Sequence, residues 1–114
     1  MPDCLFCRII AGEIPATIIA SNAHCVAFAD INPQAPVHAL VIPKKHVSGF
    51  IDLGPEDDIL IAQMAHLVND VAGKLGIAPS GFRVVCNQGV NGGQTVGHLH
   101  WHVLGGRSMG WPPG

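Results

Sequence analysis

The chain has 114 residues, 48% of them apolar and only 12% charged, with a net charge of −2 when its seven histidines are neutral. This length fits one domain, which buries roughly two-thirds of the surface its unfolded chain exposes. Six Lys and Arg, adjacent only at Lys44 and Lys45, make no basic stripe, which argues against a duplex or a long single strand as partner. So apolar a composition implies a face covered by a partner, and a second copy of the chain is the expected one. The start, Met-Pro-Asp-Cys, lacks the layout of a signal peptide, and no apolar run has the length of a membrane span. We therefore expect a cytoplasmic protein whose cysteines, Cys4, Cys7, Cys25 and Cys86, are thiols or metal ligands and not disulfides.

Cys4 to Ala11 carries Leu5, Phe6 and Ile9 at helical spacing, and Gly12 follows as a natural stop. Ile18 to Ala20 and Cys25 to Ala29 read as two short strands around the turn Ser21-Asn22-Ala23. The two prolines of Ile31 to Pro36 make that stretch a loop. His38 to Ile42 is β-rich and is closed by Pro43. A long helix is expected from Pro55, with Glu56, Asp57 and Asp58 on the positive end of its dipole. Leu60, Met64, Leu67, Val68, Val71 and Leu75 form its apolar face, and Gly76 ends it. Phe82 to Cys86 is a fourth strand, Asn87 to Gly97 a loop rich in glycine, and His98 to Leu104 a last strand broken by Gly105-Gly106. Strands in runs joined by short turns predict an α+β domain over residues 1–114. Its antiparallel sheet has about five strands, with one long and one short helix, and residues 108–114 form a tail.

Residues two apart on a strand share a face, so His98, His100 and His102 line one side while Leu99, Trp101 and Val103 line the other. The preceding loop can turn backbone N–H groups inward as an anion nest, with Thr95 adding a hydroxyl and Asn87 an amide. An imidazole nucleophile beside a phosphate cradle outlines phosphoryl or nucleotidyl transfer. Imidazole, with an ordinary pKa of about 6.5, is available in its neutral, nucleophilic form near pH 7. Cys4-x-x-Cys7 supplies half of a tetrahedral zinc site, or else two structural thiols; a redox pair would need a thioredoxin-like context that is missing. Cys25 and Cys86, in strand-like segments, read as inert core thiols. His38, taken alone, fits a satisfied core residue, and Asp30 a turn former.

His98-Leu99-His100-Trp101-His102-Val103-Leu104 resembles the signature of the histidine triad family. Pro33 to His38, Val41 to His46, Gly92-Gly93-Gln94 and Trp111-Pro112-Pro113-Gly114 resemble its Hint branch. The resemblance runs from Phe6 to Gly114 and implies a homodimeric hydrolase of purine nucleoside phosphoramidates or aminoacyl-adenylates. It implies His100 as the nucleophile on the α-phosphorus, forming a covalent nucleotidyl-histidine, with no metal needed at that step. His102 would bind phosphate oxygens and help protonate the leaving amine, while His38 and His98 would orient the rings. Asn87, Gly93, Gln94 and Thr95 fall on phosphate-binding positions, and Asp30 on that of the ribose carboxylate. Leu5, Phe6, Ile9, Phe28 and Ile31 fall on the base pocket. It also implies a structural zinc on Cys4, Cys7, His46 and His98.

Three positions depart from the pattern, of which Thr95 replaces the commoner Ser but keeps the hydroxyl. Gly97 stands where an aromatic residue is usual and Trp101 where an aliphatic one is. Four residues apart, they are expected to compensate in bulk. The tail with Trp111 is expected to be ordered and to reach the site of a second copy. Two rival readings stand beside the phosphoramidase: a dinucleoside polyphosphate hydrolase of the same family, and a zinc-containing nucleotide-binding interaction module. The Gly105-Gly106-Arg107 ending and the tail weigh against the first, and the complete triad against the second.

Overall fold

The computed structural model describes residues 3–114. Five strands, β1 (Ile18–Ser21), β2 (Cys25–Ala29), β3 (Val37–Pro43), β4 (Phe82–Val85) and β5 (Trp101–Gly105), form one sheet in the order β1-β2-β3-β5-β4. Every neighbouring pair is antiparallel. The short helix α1 is Leu5–Ile10, the long helix α2 is Asp58–Lys74, and a further turn, α3, spans Gly89–Gly92. Among the described residues no helix is long and apolar enough to cross a membrane.

The period-two alternation of the strands divides the apolar residues between two faces. Cys25, Ala27, Ala39, Val41 and Val103 point to one side, where they meet Leu60, Met64, Leu67, Val68 and Val71 of α2. Val26, Phe28, Leu40 and Ile42 point to the other, where Phe6 of α1 lies on them. A helix of six residues is not stable by itself, so α1 depends on what it packs against and on what holds its start. Asn22 makes the β1–β2 turn by accepting from the backbone N–H of His24 and Cys25. Gly12 and Gly76 follow α1 and α2 at φ +78° and +73°, conformations that suit glycine.

Three expectations need correction. The last strand begins at Trp101, not His98, although His98, Leu99 and His100 before it are buried. Its partner β3 ends at Pro43, which has no N–H to continue the ladder; instead Leu99 donates to Val47 O at 2.6 Å and the His98 ring bonds Pro43 O. The strand runs on through Gly105, where an added Cβ would lie 2.8 Å from Ile77, so only glycine lets β5 pass this close. Pro55 to Asp57 form a 3-10 turn ahead of α2, and Leu75 caps the helix half-exposed while Ala72 takes a core place. Lastly, Gly97 and Trp101 do not share one space: a Cβ at Gly97 meets nothing within 4 Å, whereas Trp101 packs against the α2-side core. The Trp101 indole N–H is buried there without a hydrogen-bond partner among the described residues.

Candidate active site and metal centre

A cavity of about 260 Å³ lies on the α1 side of the sheet. Of the residues singled out in the sequence, Leu5, Phe6, Ile9, Phe28, Asp30, Ile31, Thr95, His100 and His102 line it. Its polar side chains, Asp30, Thr95, His100 and His102, are few, and apolar ones complete the wall. Leu40 shares a sheet face with His38 and could have been found by alternation. Ile14, Pro15, Ala16 and Val96 also line the cavity from irregular segments that carry no periodic signal.

The histidines are not interchangeable. His100 Nδ1 lies 2.7 Å from the carbonyl oxygen of His98. A carbonyl only accepts, so Nδ1 carries the proton, and in the neutral ring Nε2 keeps its lone pair. His102 has the opposite tautomer. Gln34 donates its backbone N–H to His38 Nδ1 at 3.0 Å, so the His38 proton is on Nε2. That Nε2 lies 2.9 Å from His102 Nδ1 and 3.4 Å from Asp30 Oδ2. His102 Nδ1 therefore accepts, and its own proton is on Nε2. The cavity thus meets a bare nitrogen on His100 and an N–H on the adjacent His102, with ring centroids 5.0 Å apart. Register explains the relay: His38 pairs with Leu104 and Leu40 with His102, which makes the two histidines diagonal neighbours on one face. Burial, helped by His100 and His38, pushes His102 down to about 4, and burial lowers His38 against the pull of Asp30. Both rings are then neutral near pH 7, as the relay requires.

His98 serves the site differently from expectation. Its ring takes no part in the His38–His102 relay, and its backbone carbonyl orients His100 instead. Its Nε2–H donates to Pro43 O at 2.9 Å, which frees Nδ1 as a ligand. Cys4, Cys7, His46 and His98 bring four ligand atoms within 4.8 Å of one another. His98 Nδ1 is 3.3 Å from Cys4 Sγ, 3.5 Å from Cys7 Sγ and 3.2 Å from His46 Nδ1, and Cys7 Sγ is 3.2 Å from His46 Nδ1. A zinc tetrahedron with ordinary bond lengths has S···N edges of about 3.5 Å and N···N edges of about 3.3 Å. Burial and the neighbouring Cys4 push the Cys7 thiol up, and a cation held beside it would offset that cost of ionising it. The four residues fit a metal. Asp30, His38 and His102 also lie within that distance of one another, but the Gln34 N–H occupies His38 Nδ1 and keeps the proton on the nitrogen a metal would need. That second cluster is a hydrogen-bond relay.

The glycine-rich loop is more constrained than its composition implies. The N–H groups of Gly93 and Gln94 bond Val90 O and Gly89 O within the loop, so they are not free as an anion nest. The Gln94 side chain accepts from Gly89 N and donates to Ser48 O and Val96 O, bracing the loop that presents Thr95. Asn87, Gly93 and Gln94 do not line the cavity, and His38 lies behind His102. Cys25 is fully buried with its thiol pushed up to about 11, and burial also raises Cys86, as inert thiols should be. Trp111 is exposed, and the tail is tied back by Arg83, which donates to Gly110 O.

The HIT domain family model matches residues 11–109, and the chain belongs to that family. It is 49% identical over 112 residues to an uncharacterised HIT-like protein of Synechocystis, covering 98% of this chain and 97% of that one. A HIT family hydrolase from Legionella pneumophila superposes with a TM-score of 0.95 at 46% identity, over 98% of this chain and all of the other. A histidine triad nucleotide-binding protein from Candida albicans superposes with a TM-score of 0.82 at 30% identity, over 96% and 83% of the two chains.

Proposed function

We propose that this protein is a nucleotide hydrolase of the Hint type. It would cleave the P–N bond of purine nucleoside phosphoramidates and release the nucleoside monophosphate, with aminoacyl-adenylates as further substrates. The observation that carries the reading is the tautomer pair: a bare His100 Nε2 beside a His102 Nε2–H in one cavity. His100 Nε2 attacks phosphorus, the P–N bond breaks, and a nucleotidyl-histidine forms. The His98 carbonyl faces the Nδ1–H of the ring that becomes positive. The departing amine takes a proton through His102, which recovers one from the water that opens the intermediate. Thr95 and His102 donate to the phosphoryl oxygens, Asp30 accepts from the sugar hydroxyls, and the apolar wall holds the base. The hydrolase and nucleotide-binding descriptions of the Legionella and Candida proteins support this reading.

Cys4, Cys7, His46 and His98 would hold a structural zinc, which fixes the start of α1 and takes no part in the reaction. The protein would act as a homodimer. Exposed Phe50, Ile51, Ile59 and Val84 support a covered face, and light scattering of the purified protein checks its mass. The direct test of activity is turnover of an adenosine 5′-phosphoramidate bearing a fluorescent amine. His100→Ala should lose activity by about three orders of magnitude or more at unchanged fold. Equal turnover by the variant would refute the assignment, and faster turnover of a dinucleoside polyphosphate would favour the rival hydrolase.

A further inference from the structure

Arg107 stands at the far end of the histidine relay. Its guanidinium donates through Nε at 3.3 Å and Nη2 at 3.0 Å to the carbonyl of Gln34, and through Nη1 at 3.1 Å to Ser108 O. Gln34 is the residue whose N–H sets the tautomer of His38. It lies in an exposed loop between Pro33 and Pro36, where no ladder holds it. Its side chain donates to Asn32 O, another loop atom. Gly106 touches Pro36, where an added Cβ would approach to 2.9 Å, so the end of β5 and this loop meet closely just before Arg107.

We propose that Arg107 is a positioning residue: by gripping the Gln34 carbonyl it aims the Gln34 N–H at His38 and so fixes the proton on Nε2 of both His38 and His102. A neutral imidazole chooses between two tautomers of similar energy, and one well-directed N–H decides the choice. If Gln34 swings away, His38 is free to carry its proton on Nδ1. The His38–His102 bond then survives only if His102 moves its own proton to Nδ1, and the cavity loses its donor. Arg107 touches neither the cavity nor the reacting atoms, and acts through one main-chain group and two rings. Its expected effect on turnover rests on the proposed function, whereas its effect on the tautomers does not.

Nitrogen-15 spectra of the imidazole rings separate protonated from bare nitrogens. In the native protein His38 and His102 should each show a bare Nδ1 and a protonated Nε2. Arg107→Met keeps the aliphatic stem but removes the donors, and should give both rings a mixture of tautomers. With the phosphoramidate, its kcat should fall about tenfold while KM stays within about twofold. Arg107→Lys restores one donor and should recover most of both signals. Arg83→Ala, which removes a second cationic side chain that holds the tail, should change neither. An Arg107→Met protein with the native tautomers overturns the proposal, as does an equal disturbance by Arg83→Ala. Should Arg107→Met fail to fold, a protonated His38 Nδ1 in the native spectrum would overturn it, and a bare one with partial loss of order in Arg107→Lys would support it. Native protein that is inactive towards the phosphoramidate counts against the proposed function alone, and the tautomers then decide the role of Arg107.

Discussion

His102 is neutral near pH 7 because burial, helped by the imidazoles of His100 and His38, pushes it down to about 4. An unfolded histidine titrates near 6.5, so between these values the unfolded chain binds the proton first. The stability contributed by keeping this ring neutral is therefore full above about pH 6.5 and is lost as the pH falls towards 4. His38, lowered in the same direction, adds to the slope. Thermal melts across this window should show a shallower decline for His102→Asn than for the native protein, and parallel curves would contradict the assignment. At this scale the sequence was informative where spacing decides. The triad alternation placed His100 and His102 on one face; Phe28 and Asp30, which the family resemblance and not spacing pointed to, line the cavity as well. It was silent on tautomers. These depend on main-chain atoms of Gln34 and His98, and no side-chain pattern reports them.

At the scale of elements, α1 links the metal cluster to the cavity. Cys4 caps it, with Sγ accepting from Cys7 N–H at 3.3 Å, and Cys7 lies in its first turn. Phe6, between them, sets its ring edge-on to His100 at 5.2 Å and to His98 at 5.8 Å. Stripping a bound zinc from that cluster should therefore loosen a cavity wall without touching His100 and His102. Cys7→Ser, or exhaustive chelation, should lower Tm by about 10 °C, a loss of about 2 kcal/mol or more, and raise KM more than it lowers kcat. Unchanged melting together with no zinc in elemental analysis would remove the metal from the account. The end of β5 gives a second test. Gly105→Ala presses a methyl group onto buried Ile77 and should cost about 1–3 kcal/mol, read from denaturant unfolding. The strands were legible because alternation and turn residues agreed; β2 matches its expected span of Cys25–Ala29. The start of β5 was not, since it is set by where its neighbour β3 runs out of donors at Pro43. The brace made by Gln94 was also hidden, because its partners, Ser48 and Gly89, are far from it in character and in part in sequence.

In the whole molecule the sheet separates two tasks. One face packs on α2 and supplies most of the core, and the other carries α1, the cavity and the histidines. The triad segment belongs to both, since Leu99, Trp101 and Val103 anchor one side while His100 and His102 face the other. His100 and His102 therefore stand on a buried support, which suits the in-line displacement at phosphorus proposed for them. On the proposed function, a bond from His100 to phosphorus forms and is then broken by water. Two in-line displacements return phosphorus to its original configuration, whereas a single attack by water inverts it. The deciding measurement is the stereochemical course of hydrolysis of an adenosine phosphorothioamidate that is chiral at phosphorus, run in isotopically labelled water. The account predicts retention; inversion would show that water attacks directly and that His100 is not the nucleophile.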